Sequence, residues 1–189
     1  MPVRHKGDKM ETSAQIISIV GMIFNFLSFQ QKTHKGVVSC QLLAASTFCV
    51  SYFMLGAAAG GILNAVGAIR AIVFMFKDKL KANHIGWLIF FCVAFASSYP
   101  LSFLVFSKEP TLKNLIVELL PVVAMIIATI SFRIGSAKAI RKFGLFSSPM
   151  WLIYNIFCLS IGAIASEILN LISMVVGIIR FDIKRKAEK

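Results

Sequence analysis

The chain has 189 residues, of which 58% are hydrophobic and only 15% charged, and its mean hydropathy is +0.81. These values exclude an ordinary soluble domain and place the chain in a bilayer. The formal charge of +12 does not point to nucleic acid, because Lys and Arg stand in short clusters between apolar runs rather than along one exposed face.

A hydrocarbon core about 30 Å thick takes roughly 20 apolar residues per helix. Cutting the sequence at that length predicts seven spans, at 12–30, 37–55, 57–76, 85–106, 115–134, 143–159 and 161–180. The first follows a basic tail with Arg4, Lys6 and Lys9. It reads as a retained helix, not a signal peptide, since it is nearly membrane-length and no small-x-small cleavage site follows it. Residues 36–69 carry no charge and are too many for one helix, so the chain must reverse, with the turn expected near Gly56. The fourth span contains Pro100 and the fifth Pro121, while Glu118 lies near the outer end of the fifth and reads as interfacial. The sixth contains SSPMWLIYN, and a second glycine reversal, around Gly162 in CLSIGAIAS, separates it from the seventh.

Catalytic chemistry finds no support in this pattern. Cys40, Cys49, Cys92 and Cys158 lie in apolar runs without C-x-x-C spacing and read as free thiols. His5, His34 and His84 lie in polar segments without metal spacing, and there is no paired carboxylate, nucleophile elbow or P-loop. The chain therefore reads as a non-enzyme with no metal and no cofactor.

Sliding the sequence on itself reveals an internal repeat. At an offset of 106, Gly56, Ala57, Ala59, Ile62, Leu63, Asn64 and Ile72 fall on Gly162, Ala163, Ala165, Ile168, Leu169, Asn170 and Ile178. Upstream, an offset of 103 sets Val20, Met22, Ile23, Ser28 and Phe29 on Val123, Met125, Ile126, Ser131 and Phe132. A further match of Val66 to Arg70 with Val176 to Arg180 needs an offset of 110, so the third helix can be registered in two ways. The expected fold is all-α, with seven transmembrane helices in a 3+1+3 arrangement. Residues 1–11 form an N-terminal tail, 12–76 a first three-helix repeat, 77–114 loops and a linker helix, 115–181 a second repeat, and 182–189 a basic C-terminal tail. A linker that crosses once makes the two repeats parallel.

SFQQKTHKG, LGAAAGGILNAVGAIR, SSPMWLIYN and EILNLISMVVGIIRFD resemble the bacterial inner-membrane family called YgjV over nearly the whole chain. The 3+1+3 pattern more distantly resembles the SWEET, PQ-loop and PnuC transporter superfamily. That resemblance implies a central solute pocket faced by an asparagine from the third helix of each repeat, here Asn64 and Asn170, with Trp151 similar to the aromatic wall of the second repeat. The PQ-loop proline is absent, since the sequence reads Ser28-Phe29-Gln30-Gln31, so a proline hinge is not implied.

The residues bear separately on function. An amide buried without a partner costs roughly 2–7 kcal/mol, so Asn64 and Asn170 must either face a hydrated cavity or bond each other or nearby backbone. An arginine within a span costs at least about 2.5–3.5 kcal/mol at the helix centre, so Arg70 must face a partner or water, or snorkel to the nearer surface. Glu167 is its obvious counter-charge but reads as too far toward the outer face to pair with it. Trp151, Tyr154 and Asn155 can share one helix face as packing or as a ligand wall. The leading expectation is a small-solute transporter or facilitator with its site between the repeats; the alternative is a receptor or scaffold that moves nothing. Expected partners are the lipid bilayer and a small polar solute, with no nucleic acid; a homo-oligomer is left open.

Alternating the spans puts roughly fourteen Lys and Arg on one side and about five on the other, the last of the 20 being Arg70. By the positive-inside rule the N-terminus lies outside the bacterial inner membrane and the C-terminus in the cytoplasm. A reporter that is active only in the cytoplasm, fused after Lys189, is expected to be active; activity of a periplasm-only reporter at that position would overturn the orientation.

Overall fold

The computed structural model describes residues 6–54, 58–104, 109–157 and 161–183. Seven helices make up these residues: α1 (Lys6–Phe29), α2 (His34–Met54), α3 (Ala58–Met75), α4 (Ile85–Leu104), α5 (Leu112–Ile134), α6 (Ala137–Phe157) and α7 (Ile161–Gly177), which continues into a wider π-helical segment, Ile178–Ile183. Among the described residues there is no strand. The turn expected at Gly56, the residues Arg4, Lys108 and Cys158, and the tail from 184 onward lie outside them; Cys40, Cys49 and Cys92 are free.

Among the described residues, four segments are long and apolar enough to cross a membrane: Met10–Phe29, His34–Met54, Leu112–Ile134 and Ala163–Ile183; Gly60–Met75 and Ile85–Leu101 are apolar but shorter. The helices overrun the spans expected from hydropathy. α1 begins at Lys6 rather than 12, and α6 at Ala137 rather than 143, taking Lys138, Arg141 and Lys142 into its first turns. Hydropathy marks where hydrocarbon begins, whereas helical hydrogen bonding continues past it through Lys and Arg, which are good helix formers. α5 has clear ends: the Thr111 hydroxyl accepts from the Asn114 amide, and Gly135, at φ 73°, donates its N–H to Phe132 O. Pro100, Pro121 and Pro149 lie inside α4, α5 and α6, each removing one backbone donor from its helix.

The outer surface departs from the soluble pattern, and several polar side chains are buried within it. Large apolar residues such as Ile16, Ile23, Val50, Phe90, Ile153 and Ile172 are exposed, whereas Ser51, Thr129, Ser147, Ser148, Asn155, Asn170 and Ser173 are buried. An apolar outer surface of this extent belongs against lipid tails.

α2 lies between α1 and α3, and α6 lies between α5 and α7. α1 runs along α7 and α3 meets α5, so six helices close into a ring; α4 stands outside, packed on α3 and α5. An aromatic cluster fills that seam, with Phe74 and Phe132 edge to face at 6.1 Å and Phe74, Phe91 and Phe95 in succession against α4. The α1–α7 seam is held by polar groups instead. Gln30 Nε2 donates to Ser173 O at 2.8 Å, and Ser173 Oγ donates to Phe26 O at 2.7 Å. A Cβ at Gly177 would come within 2.5 Å of Phe29 O, so glycine is needed where the two backbones meet.

Where α1, α3, α5 and α7 end and α2 and α6 begin, the ring is laced together. Arg141 pairs with Asp182 at 2.6 Å and donates to Gln31 O at 2.9 Å, while Lys77 donates to Arg133 O at 2.9 Å. His34 Nε2 donates to Phe132 O at 3.2 Å. The side chains of Arg141 and Asp182 are only 2% and 7% exposed, so neither charge is solvated alone. Arg141→Ala is therefore expected to destabilise the protein by about 3–5 kcal/mol, read as a lower melting temperature in detergent, with Arg141→Met/Asp182→Leu recovering most of the loss.

Candidate functional site

The ring surrounds an open cavity of about 160 Å³, several times the ~30 Å³ share of one liquid water. All six ring helices line it and α4 does not. α1 contributes Asn25 and Phe29, α2 Gln41, Ala45 and Tyr52, and α5 Met125, Ala128 and Phe132. The lining of α3 is Asn64, Gly67, Arg70 and Ala71; that of α7 is Ala163, Ser166, Glu167 and Asn170; that of α6 is Ser147, Ser148, Trp151 and Asn155. In each of these three sets the intervals of three and four place the residues on one helical stripe. Gly67 lets α3 approach α5, since a Cβ there would meet Met125 Cε at 3.1 Å.

Five of the six residues singled out from sequence line this cavity: Asn64, Arg70, Trp151, Asn155 and Asn170. Asn64 and Asn170 do not bond each other. Asn64 Nδ2 donates to Gly60 O, one turn back on its own helix, at 2.9 Å. Asn170 hydrogen-bonds Glu167, and its Oδ1, in a residue only 2% exposed, has no partner. Tyr154 is not among the lining residues; its ring stands edge to face against Trp151 at 5.9 Å and backs that wall.

Arg70 does not snorkel. It is 6% exposed and turns toward α5, where Nη1 donates to Met125 O at 3.0 Å and to Thr129 Oγ1 at 3.2 Å. Its guanidinium lies over the rings of Phe132 and Phe95, at 4.5 and 5.4 Å from their centroids. Two aromatic faces supply a diffuse negative potential in place of a counter-ion. Nε has no partner.

Glu167 stands six residues inside α7 and lines the same cavity as Arg70, although its sequence position suggested the outer rim. Its carboxylate accepts from the Ser148 hydroxyl and from Asn170. Glu118, in the second turn of α5, is 5% exposed. Sequence reasoning missed Ser148, Ser166, Asn25 and Gln41 as lining residues. One signal was present, since Glu167 precedes Asn170 by three residues and Ser148 precedes Trp151 by three, the interval that shares a helix face.

Membrane-length apolar helices with a lipid-facing outer surface and a polar cavity inside define an integral membrane protein. The chain belongs to the Imp-YgjV family of bacterial inner membrane proteins, whose family model matches residues 12–185. No curated protein and no solved structure matches it.

The surroundings of Arg70 give a direct test of its role. Thr129 Oγ1 also donates to Met125 O at 2.7 Å, so that carbonyl keeps a side-chain partner when the guanidinium is removed. Arg70→Met is expected to cost less than about 1 kcal/mol or to stabilise, because it removes a buried cation without stranding an acid. A melting temperature in detergent that falls by the equivalent of several kcal/mol would instead make Arg70 a structural strut.

Proposed function

We propose that the protein is a small-solute transporter or facilitator of the bacterial inner membrane, with its site in the cavity between two parallel three-helix units, α1–α3 and α5–α7, joined by α4. The observation that carries this reading is that ten of the 22 residues lining the cavity fall into five pairs under the repeat offsets. At the 103-residue offset Asn25 and Phe29 correspond to Ala128 and Phe132; at the 106-residue offset Gln41, Ala45 and Asn64 correspond to Ser147, Trp151 and Asn170. All ten residues line the cavity. Two units that contribute equivalent residues to one central polar space form the arrangement in which repeat-built carriers hold solute near the midplane. The helix neighbours agree: exchanging the units turns the α1–α7 seam into the α5–α3 seam.

In this reading the amides of Asn64 and Asn170 hydrogen-bond the solute and Trp151 closes one side. Its counterpart Ala45 leaves the other side open, so the pocket is asymmetric where the backbone is not. In this reading the basic end faces the cytoplasm, a placement that the excess of Lys and Arg on that side supports. Release on that side separates α1 from α7, breaking the Gln30–Ser173 bonds and the hold of Arg141 on the α1 terminus.

The test is an untargeted comparison of metabolite uptake and efflux in cells with and without the protein, repeated with Asn64→Ala and Asn170→Ala. A protein-dependent flux is expected. Each substitution should raise its half-saturation concentration by roughly fivefold, the factor equivalent to ~1 kcal/mol for a lost hydrogen bond. A flux that neither substitution alters would sink the site, and no flux of any solute would favour a receptor or scaffold.

A further inference from the structure

The paired lining residues are uncharged, and the two charges in the cavity break the pairing. At the 106-residue offset Arg70 corresponds to Val176, which is 46% exposed on the outer surface, and Glu167 corresponds to Gly61. One unit therefore supplies a cation and the other an anion. They do not neutralise each other: Arg70 bonds Met125 O and Thr129, whereas Glu167 bonds Ser148 and Asn170. With Asn64 and Asn170 taken as one level, Arg70 lies six residues toward the basic end and Glu167 three residues the other way. In that register, nine residues at about 1.5 Å each set their backbone positions roughly 13 Å apart in depth.

The polar atoms left without partners divide in the same way. Near the basic end Arg70 Nε carries a proton with no acceptor; on α7 the Oδ1 of Asn170 accepts from nothing and Ser166 Oγ is unbonded. Arg70, Asn170 and Ser166 are 6%, 2% and 4% exposed, so bulk water does not satisfy them. One end of the cavity thus has an unused guanidinium donor, and the other an unused amide acceptor beside a carboxyl group.

We infer that the solute of this cavity is an elongated zwitterion, with an anionic group toward Arg70 and an ammonium, several bonds away, toward Glu167 and Asn170 Oδ1. This rests on reading the cavity as a solute site. Such a molecule compensates both charges at once, whereas an uncharged or singly charged solute leaves at least one without a counter-ion in a low-dielectric space. An α-amino acid, with both charges on one carbon, is too short to reach both ends.

The test uses the purified full-length protein in detergent, titrated by calorimetry with glycine, β-alanine, γ-aminobutyrate, δ-aminovalerate and ε-aminocaproate. The N-acetyl and amide forms of ε-aminocaproate complete the set. Affinity is expected to rise along the series, and each capped form to bind roughly 30-fold or more weakly, as when one member of a buried charge pair is removed. Arg70→Met should abolish the advantage of the free carboxylate over the amide, and Glu167→Gln that of the free amine over the N-acetyl form. Equal binding of the N-acetyl form and the zwitterion, a flat series, or no binding by any member would each overturn the inference, and the capped ligands decide it even if a variant fails to fold. Binding that produces no flux in proteoliposomes would uphold the zwitterion and sink the transporter. Flux of an uncharged metabolite, with no binding in the series, would do the reverse.

Discussion

Hydrocarbon cannot accept or donate a hydrogen bond, and that constraint organises the whole molecule. Polar side chains that cannot reach a headgroup turn inward, and among the described residues most find partners there, while the outer surface is apolar. Some groups are satisfied within their own helix: Ser28 donates to Asn25 O, Ser131 to Ala128 O and Thr47 to Ala44 O. Others have no local acceptor and must meet across helices, and those meetings close the ring. The cavity lies where the remaining polar groups converge.

The two seams of the ring solve the same problem with different chemistry. α1 and α7 touch directly through Gly177, Gln30 and Ser173, and need no third element. α3 and α5 meet more sparingly, and α4 covers the gap with Phe91 and Phe95. That aromatic packing does more than fill space. Phe95 and Phe132 provide the faces over which Arg70 lies, so the helix outside the ring helps hold a cation inside it. A helix placed on one seam makes the two seams unequal at that charge.

Much of the fold could be read from sequence. Apolar runs of membrane length located the helices. The helix ends were less accessible, because hydropathy reports where lipid stops rather than where the backbone stops hydrogen-bonding; Ala137 and Lys6 are the cases in point. The candidate site was partly legible for a related reason. Asn64, Asn170 and Arg70 are conspicuous in hydrocarbon, whereas Ser148 and Ser166 are common enough in helices to pass unnoticed. Glu167 was visible and set toward the outer face; that it lines the cavity was not legible, since counting residues along one helix does not show which helix faces lie opposite it.

By itself the sequence determined the class of protein, its helices and the paired amides, because each depends on local composition or on spacing along one chain. Only the tertiary structure decided that Asn64 and Asn170 stand apart rather than bonded, that Arg70 turns inward onto two aromatic rings, and that Glu167 shares its cavity. Those outcomes depend on which helix faces lie opposite one another. That is set by the packing of six helices in a ring with a seventh against one seam, and no interval within a single helix encodes it.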